Sequence, residues 1–400
     1  MTQIYANAYI CVYMFDFQSK MDTENTFEFE EENLSDTNQQ ELVCSACGGH
    51  LKFDPATNKL KCDACGAEFD IEASDEEVNE LDFNKYVEEN LGSIETQTLH
   101  TVECENCGAH VTFDENVVSD RCPFCGTILV VTNTVAATQI KPGSLLPFGL
   151  DKQQSFDKFK AWIKALWFAP NDLSKRMTDI KELQGIYVPY WTYDTDTNTS
   201  YYGQRGTYYY TTETYTVNVN GKTETRTRQV RHTRWTPVSG SVHIFFDDVL
   251  VMASKSLSQK HANELEPWDL EHLVPYDEKY LSGFRTETYQ VDLKDGFETA
   301  KKQIDNKIYR AIRNDIGGDE QRVTSKNTSY SAITFKHILL PVYISAYRYN
   351  DKVYQILVNA RTGEVQGDRP YSVWKIIFFS IFSIAAAWLA AYLMGFFEDM

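Results

Sequence analysis

Basic residues are scarce in this chain of 400 residues: 38 Lys and Arg stand against 57 Asp and Glu, a formal net charge of -19. An acidic surface repels phosphate and gains nothing from counterion release, which argues against a polyanion as the main partner of the whole chain. Signatures of catalysis are missing too. There is no H-E-x-x-H, no G-x-S-x-G and no pair of carboxylates in a credible setting. Gly221-Lys222-Thr223 ends like a phosphate-binding loop, but Thr216 stands where its first glycine must be and no glycine-rich turn opens a helix there. Asp247-Asp248 reads as a turn or strand edge. The expectation is therefore a protein that is not an enzyme. A secretory leader is also lacking. The apolar stretch Tyr5 to Phe15 has no basic residue before it and no small-residue cleavage site, and it is too short to cross a bilayer. Met21 opens an ordinary acidic N-terminus and is an alternative start. Cysteine, finally, is almost absent outside one region. Of nine, eight lie in four C-x-x-C pairs between Cys44 and Cys125, leaving only Cys11.

Those eight carry the strongest signal. Cys44, Cys47, Cys62 and Cys65 repeat the spacing of Cys104, Cys107, Cys122 and Cys125. Gly48, Gly66, Gly108 and Gly126 follow the second cysteine of each pair, and His50-x-x-Phe53-Asp54 is echoed by His110-x-x-Phe113-Asp114. This is an internal repeat. A C-x-x-C-G turn aims two sulfurs at one point, and a hairpin returns a second such turn to complete an S4 site. A disulfide framework would need an oxidising compartment, and a redox pair a thioredoxin-like setting; an iron–sulfur cluster shares the same ligands. Zinc is the reading carried forward, as two structural Zn²⁺ sites on which small ribbons depend for folding. With four cysteines each, the ribbons leave His50 and His110 as surface or hairpin residues. From Cys44 to Cys125 there are 5 Lys and Arg against 18 Asp and Glu, so protein contact suits the ribbons better than nucleic acid.

Ile376 to Phe397 is uncharged and long enough, at about 1.5 Å per residue, to cross a hydrocarbon core of about 30 Å. Trp374 and Tyr392 suit interfacial belts. Arg361, Arg369 and Lys375 precede it and only Glu398, Asp399 and Met400 follow, so the positive-inside rule puts the N-terminal side in the cytoplasm. The expected location is the cytoplasmic membrane, single-pass and tail-anchored.

The expected fold class is multidomain: two small four-cysteine ribbons, an α+β body and one C-terminal transmembrane helix. The boundaries are a disordered acidic N-terminus at 1–42, ribbons at 43–70 and 103–135, an acidic linker with a short helix at 71–102, the body at 145–371 and the span at 374–397. Asp151 to Phe168 is an amphipathic helix through Phe156, Phe159, Trp162, Ile163, Leu166 and Trp167. A second runs from Gly296 to Arg313 with Phe297, Ala300, Ile304, Ile308 and Ile312 on one face. Tyr208 to Val219 and Lys222 to Trp235 flank Asn220-Gly221, a hairpin signal. Strands follow at Ile338 to Tyr349 and Lys352 to Asn359. Each helix precedes a strand with an embedded proline, Tyr187-Val188-Pro189-Tyr190 and Leu339-Leu340-Pro341-Val342, which is either a duplicated α+β unit or chance. Lys222, Arg226, Arg228, Arg231 and Arg234, facing Tyr208, Tyr209 and Tyr210, form a candidate anionic-ligand patch for lipid headgroups, an acidic protein or single-stranded nucleic acid; paired to Glu213 and Glu224 they would be a solvated strand face.

With CSACGGHLKFDPATNKLKCDACG, CENCGAHVTFDENVVSDRCPFCG, LLPFGLDK, IYVPYWTYD, LLPVYISAYRY and the apolar C-terminus, the chain resembles bacterial membrane-anchored proteins with tandem zinc ribbons of the transcription-factor-IIB type. Such chains are sometimes labelled primosomal protein N′-like, a likeness that covers the cysteine ribbons alone. The resemblance implies a scaffolding or membrane-stress role beside flotillin-like (SPFH) and phage-shock-protein-A-like partners. Two functions follow: a non-enzymatic membrane adaptor that recruits cytosolic proteins, or a replication or transcription accessory that uses the basic hairpin 222–235.

Overall fold

The structure is a computed structural model that describes residues 42–72, 78–88, 96–112, 119–130, 134–173, 183–219, 222–350 and 352–393. The acidic N-terminus expected at 1–42 lies, but for residue 42, outside the described residues, as do Cys11 and the Asn220-Gly221 turn. In chain order the strands and α-helices are β1 (Leu51–Asp54), β2 (Lys59–Cys62), β3 (Glu68–Phe69), β4 (Leu81–Asp82), α1 (Phe83–Glu88), β5 (Thr96–Glu103), β6 (His110–Thr112), β7 (Ser119–Arg121), β8 (Ile128–Val130), β9 (Thr134–Ile140), β10 (Ser144–Leu145), α2 (Lys152–Ala165), β11 (Gln184–Val219), β12 (Lys222–Met252), α3 (Gln259–Glu264), β13 (Val274–Pro275), β14 (Arg285–Thr286), α4 (Leu293–Ile316), β15 (Glu320–Tyr349), β16 (Lys352–Asn359), β17 (Val365–Gly367) and α5 (Val373–Leu393).

Three strands of 36, 31 and 30 residues, β11, β12 and β15, dominate the body. They are far longer than the usual five or six residues because Thr, Tyr and Val alternate through them with few breakers. β11 pairs antiparallel with β12 on one side and β15 on the other, and β15 pairs onward with β16. The expected hairpin is thus only the far part of a longer one. At its described tip Val219 stands opposite Lys222.

The proline-bearing strands reveal a duplication. β11 and β15 pair about Val188 opposite Leu340, so Pro189 faces Leu339 and Pro341 faces Tyr187. The two prolines are related by the local two-fold axis of that pair. The same axis relates the short strands: β10, ahead of α2, runs parallel to β15 at Ile338 and Leu339, and β14, ahead of α4, runs parallel to β11 at Ile186 and Tyr187. Each unit (short strand, helix, long strand and the strand paired after it) therefore lends its first strand to the other. Side chains obey the symmetry. Trp191 Nε1 donates to the Val291 carbonyl at 2.8 Å, and Tyr343 Oη to the Leu150 carbonyl at 3.2 Å, each just ahead of the other unit's helix. Tyr289 packs on Trp191 and Phe148 on Tyr343, both with ring centroids 5.1 Å apart.

The helices cover the sheet. α4 buries Phe297, Ala300, Ile304, Ile308, Ile312 and Ile316, one face of a 3.6-residue period, against Trp191, Tyr193 and Phe335. It runs three residues beyond the expected helix at each end, to Gly317 with φ 63°. α2 opens on a capping box: Asp151 Oδ1 accepts from Gln154 N at 2.7 Å, and Asp151 N donates to Gln154 Oε1 at 3.0 Å. It buries Phe159 and Ile163. The expected continuation to Phe168 is not helical. α2 stops at Ala165, and Trp167 is exposed in the turn that follows rather than packed on the apolar face.

Apart from half-buried Lys375, α5 is exposed from Val373 to Ala390, including Ile377, Phe378, Ile381, Phe382, Ile384 and Leu389. It is one helix long and apolar enough to cross a membrane, and no residue of its apolar window is buried. Residues 394–397 of the expected span lie outside the described ones.

Candidate metal centres

Four knuckles build the two clusters. In each, the second cysteine is followed by glycine at positive φ: 74° at Gly48, 75° at Gly66, 72° at Gly108 and 73° at Gly126. The first cysteine's carbonyl accepts from that glycine's N–H (Gly48 to Cys44 at 2.8 Å, Gly66 to Cys62 at 2.9 Å, Gly108 to Cys104 at 2.7 Å, Gly126 to Cys122 at 2.8 Å). A Cβ on any of the four would meet no atom within 4 Å, so glycine is needed here for its left-handed backbone and not for space. β1 and β2 pair between the first two knuckles, setting Leu51 opposite Cys62. In the second cluster the corresponding strands differ: β6 pairs with β5, β7 with β8, and β5 with β9.

The sulfurs of Cys44, Cys47, Cys62 and Cys65 lie within 4.8 Å of one another, as do those of Cys104, Cys107, Cys122 and Cys125. The short approaches are 3.7 Å for Cys44–Cys65, 3.5 Å for Cys47–Cys62, 3.5 Å for Cys104–Cys125 and 3.6 Å for Cys107–Cys122. These separations are too long for disulfides, and all eight are free thiols. They fit the edges of a tetrahedron whose corners stand about 2.3 Å from a central ion, and leave room for one ion per cluster. The sequence named all eight. His50 is exposed and His110 half-buried, and neither joins a cluster.

Crowded thiols do not ionise independently. Backbone N–H groups of Cys65 and Ala64 help draw Cys62 down to about 6 against its desolvation. Although the Gly49 N–H favours its thiolate, Cys47 is pushed up to about 12, chiefly by Cys65 and Cys62. In the second cluster Cys125 falls to about 6 despite burial, helped by hydrogen bonds from Thr127 and Asn106, while its neighbour Cys122 and burial raise Cys107 well above the thiol range. The lowered thiols, Cys62 and Cys125, favour the thiolate form that binds a metal cation.

Neither cluster hangs free. The first packs Leu51, Phe53 and Leu60 into the body's core, with Phe53 edge-on to Tyr280 at 5.2 Å and Ser282 Oγ donating to the Leu51 carbonyl at 2.6 Å. The second is more deeply seated: Val111, Phe124 and Leu129 share a core with Ile186, Val188 and Leu340. Gln355 Nε2 donates to the Phe124 carbonyl at 2.8 Å, Gln290 Nε2 to the Gly108 carbonyl at 2.7 Å, and Arg285 pairs with Asp120. One stretch of chain, Tyr280 to Gln290, thus holds both clusters. The expected linker takes part as well, since β4 pairs with β15 and Phe83 of α1 is buried.

Two polar sites were not assembled by the sequence reading, although Asp248 of the second was weighed there. Glu287 is 1% exposed; its Oε1 accepts from Ser254 Oγ at 2.9 Å and from Ser256 Oγ, and its Oε2 has no partner among the described residues. Burial pushes this carboxyl up to about 8 despite the two hydroxyls. At a bulge, Lys336 Nζ lies 2.8 Å from Asp248 Oδ1 and 3.2 Å from Glu80 Oε1, with Asp194 beside them. Asp248, expected at a turn or strand edge, has φ 47° at that bulge. The three carboxylates converge on an ammonium, which already supplies the cation that a metal would bring.

Four of the five residues of the basic patch share one face, and Arg231 lies on the other. Past Gly206 opposite Glu320, β11 loses its pairing with β15, and Thr207–Val219 with Lys222–Arg234 continues as a two-stranded arm. Alternation puts Arg226, Arg228 and Arg234 on the face of Tyr209 and Tyr215, with Lys222 in step, and Arg231 on the opposite face with Tyr208. Arg228 pairs with Glu213 at 3.0 Å and Arg226 with Glu224 at 3.2 Å; Arg231 lies over the Tyr208 ring at 4.3 Å. The arm also leaves the sheet at the Glu320 end of β15. The chain enters α5 near the other end, where Tyr349 bonds Asp172 at 3.2 Å and Ser372 N donates to the Phe168 carbonyl at 2.8 Å.

The chain is 24% identical over 334 residues to a protein of Bacillus subtilis (strain 168), "Uncharacterized protein YdjG", a match that covers 83% of this chain and 91% of that one. No protein-family model and no solved structure matches the chain.

Proposed function

We propose that this protein is a non-enzymatic, membrane-anchored adaptor of the zinc-ribbon kind, held at the cytoplasmic face by α5 and built around two structural Zn²⁺ ions. The observation that carries the reading is polarity: the apolar helix joins one end of the long sheet and a free two-stranded arm projects from the other. At about 3.3 Å per residue that arm reaches about 40 Å beyond its last supporting strand. Zinc is favoured over other metals because four thiolates close a tetrahedron around one ion and leave no open position for chemistry. The arm, with Lys222, Arg226, Arg228, Arg231 and Arg234 against Glu213 and Glu224, is a basic element of an acidic chain, and it is the surface offered to acidic cytosolic partners. Its distance from α5 argues against lipid headgroups as its ligand. Partners of the flotillin-like or phage-shock-protein-A-like kind fit the family resemblance.

The test is co-purification from gently solubilised membranes. Full-length protein is compared with a variant whose residues 207–234 are replaced by a two-residue turn. A partner set that depends on the arm supports the adaptor; identical sets from both proteins refute the arm as its docking element. Binding of single strands that weakens with salt and with Arg226→Ala and Arg228→Ala would favour the nucleic-acid alternative.

A further inference from the structure

The turn between α2 and the following segment carries an unexplained exposed aromatic. Trp167 is 65% exposed, although tryptophan is seldom left so open to water. Its ring does not face empty space alone: it stands edge-on to Phe379 at a centroid distance of 5.4 Å, and Phe168 does the same at 5.4 Å. Phe379 belongs to α5, about 7.5 Å along the helix from Trp374 at 1.5 Å per residue. The turn and the helix are bonded as well as packed. Lys375 Nζ donates to the carbonyls of Trp167 at 3.1 Å and Ala169 at 2.8 Å, and Ser372 N to that of Phe168 at 2.8 Å.

We infer that the turn Leu166–Ala169 is a second membrane contact, with Trp167 and Phe168 seated at the headgroup–acyl boundary beside α5. This rests on the reading of α5 as a membrane span. If Trp374 marks the interface, a ring that touches Phe379 must lie at or below it, within the depth of about 5–10 Å that interfacial aromatics occupy. The bonds to Lys375 and Ser372 leave no slack by which the body could lift the turn away. Exposed Lys164 precedes the turn and exposed Arg369 precedes α5, putting cations at headgroup level beside exposed Tyr371. The body therefore sits on the bilayer, and does not swing above it on a tether.

The full chain is reconstituted into phosphatidylcholine–phosphatidylglycerol vesicles containing lipid brominated near the headgroup end of its acyl chains. A Trp374→Phe/Trp388→Phe background removes the tryptophans of the span, and Trp167→Phe is added to it. The background protein is expected to resist alkaline carbonate extraction and to be quenched by the brominated lipid, and Trp167→Phe to reduce the quenched signal at least twofold. Carbonate-resistant protein with equal quenching in the presence and absence of Trp167 overturns the inference while sparing the span. Protein extracted by carbonate overturns the span, and the inference with it.

Discussion

At the scale of single residues, Glu287 makes the most specific claim. The folded chain holds its proton up to about pH 8, whereas an unfolded carboxyl loses it near 4.3. Between those values the native state binds the extra proton, so stability falls as pH rises through the window, by at most about 1.4 kcal/mol per pH unit, and is flat above it. Glu287→Gln keeps the shape and an oxygen for Ser254 and Ser256. The difference in melting temperature between variant and parent should widen in the variant's favour from pH 5 to pH 8; parallel curves would refute the buried proton. Gly296 makes a different claim. A Cβ there would come 2.3 Å from Tyr193 Oη and 2.9 Å from Trp191 Cδ1, both on β11. Gly296→Ala should therefore cost about 1–3 kcal/mol in denaturant unfolding, despite alanine's better helix propensity. Neither residue was legible in the sequence, since Ser254, Ser256 and Tyr193 reach them only through the fold. The knuckle glycines were legible, because the motif itself sets their backbone.

At the scale of elements, the helices could be read because their buried residues recur at 3.6. α4 lost only its ends, and α2 was overrun by two aromatics, Trp167 and Phe168, that look like more of the same stripe but lie past the last helical turn. Strand length could not be read. Alternation continues through Gly203, Gly206 and Pro237 without the turn that such residues usually announce, because bulges and a paired neighbour absorb them. Both cysteine clusters looked alike in sequence, yet the structure embeds the second more deeply. Cys44 and Cys62 are buried but Cys47 and Cys65 are exposed, while Cys107 and Cys125 are half-covered. Cys122→Ser should accordingly destabilise the whole body and lower the yield of folded protein. Cys65→Ser should loosen the first cluster alone, with hydrogen exchange raised in 43–70 and unchanged in β11 and β15. Equal, local effects of both changes would refute the difference in seating. In the arm, Arg228 and Glu213 are both exposed, so Arg228→Ala should change stability by less than about 1 kcal/mol; a larger loss in thermal unfolding would mean the arm packs on something in the folded chain.

At the scale of the whole molecule, two related units exchange their first strands about the Val188–Leu340 pair, and the cysteine clusters clamp that exchange through Tyr280 to Gln290. The echo of the prolines hinted at the duplication. The exchange was invisible, because β10 and β14 are two residues long and pair with strands distant in the chain. A metal in the second cluster would add to the body's stability, since it would join β5 and β6 to β7 and β8, which lie in separate sheets. The most direct test of that claim is the metal content of the intact chain, purified in detergent without added metal, by native mass spectrometry with X-ray absorption at the metal edge. Two zinc ions per chain, each with four sulfur neighbours at about 2.3 Å, is the expected result. A chain that is folded and metal-free, or that carries iron with sulfide or disulfides in place of the four-thiolate sites, would contradict it.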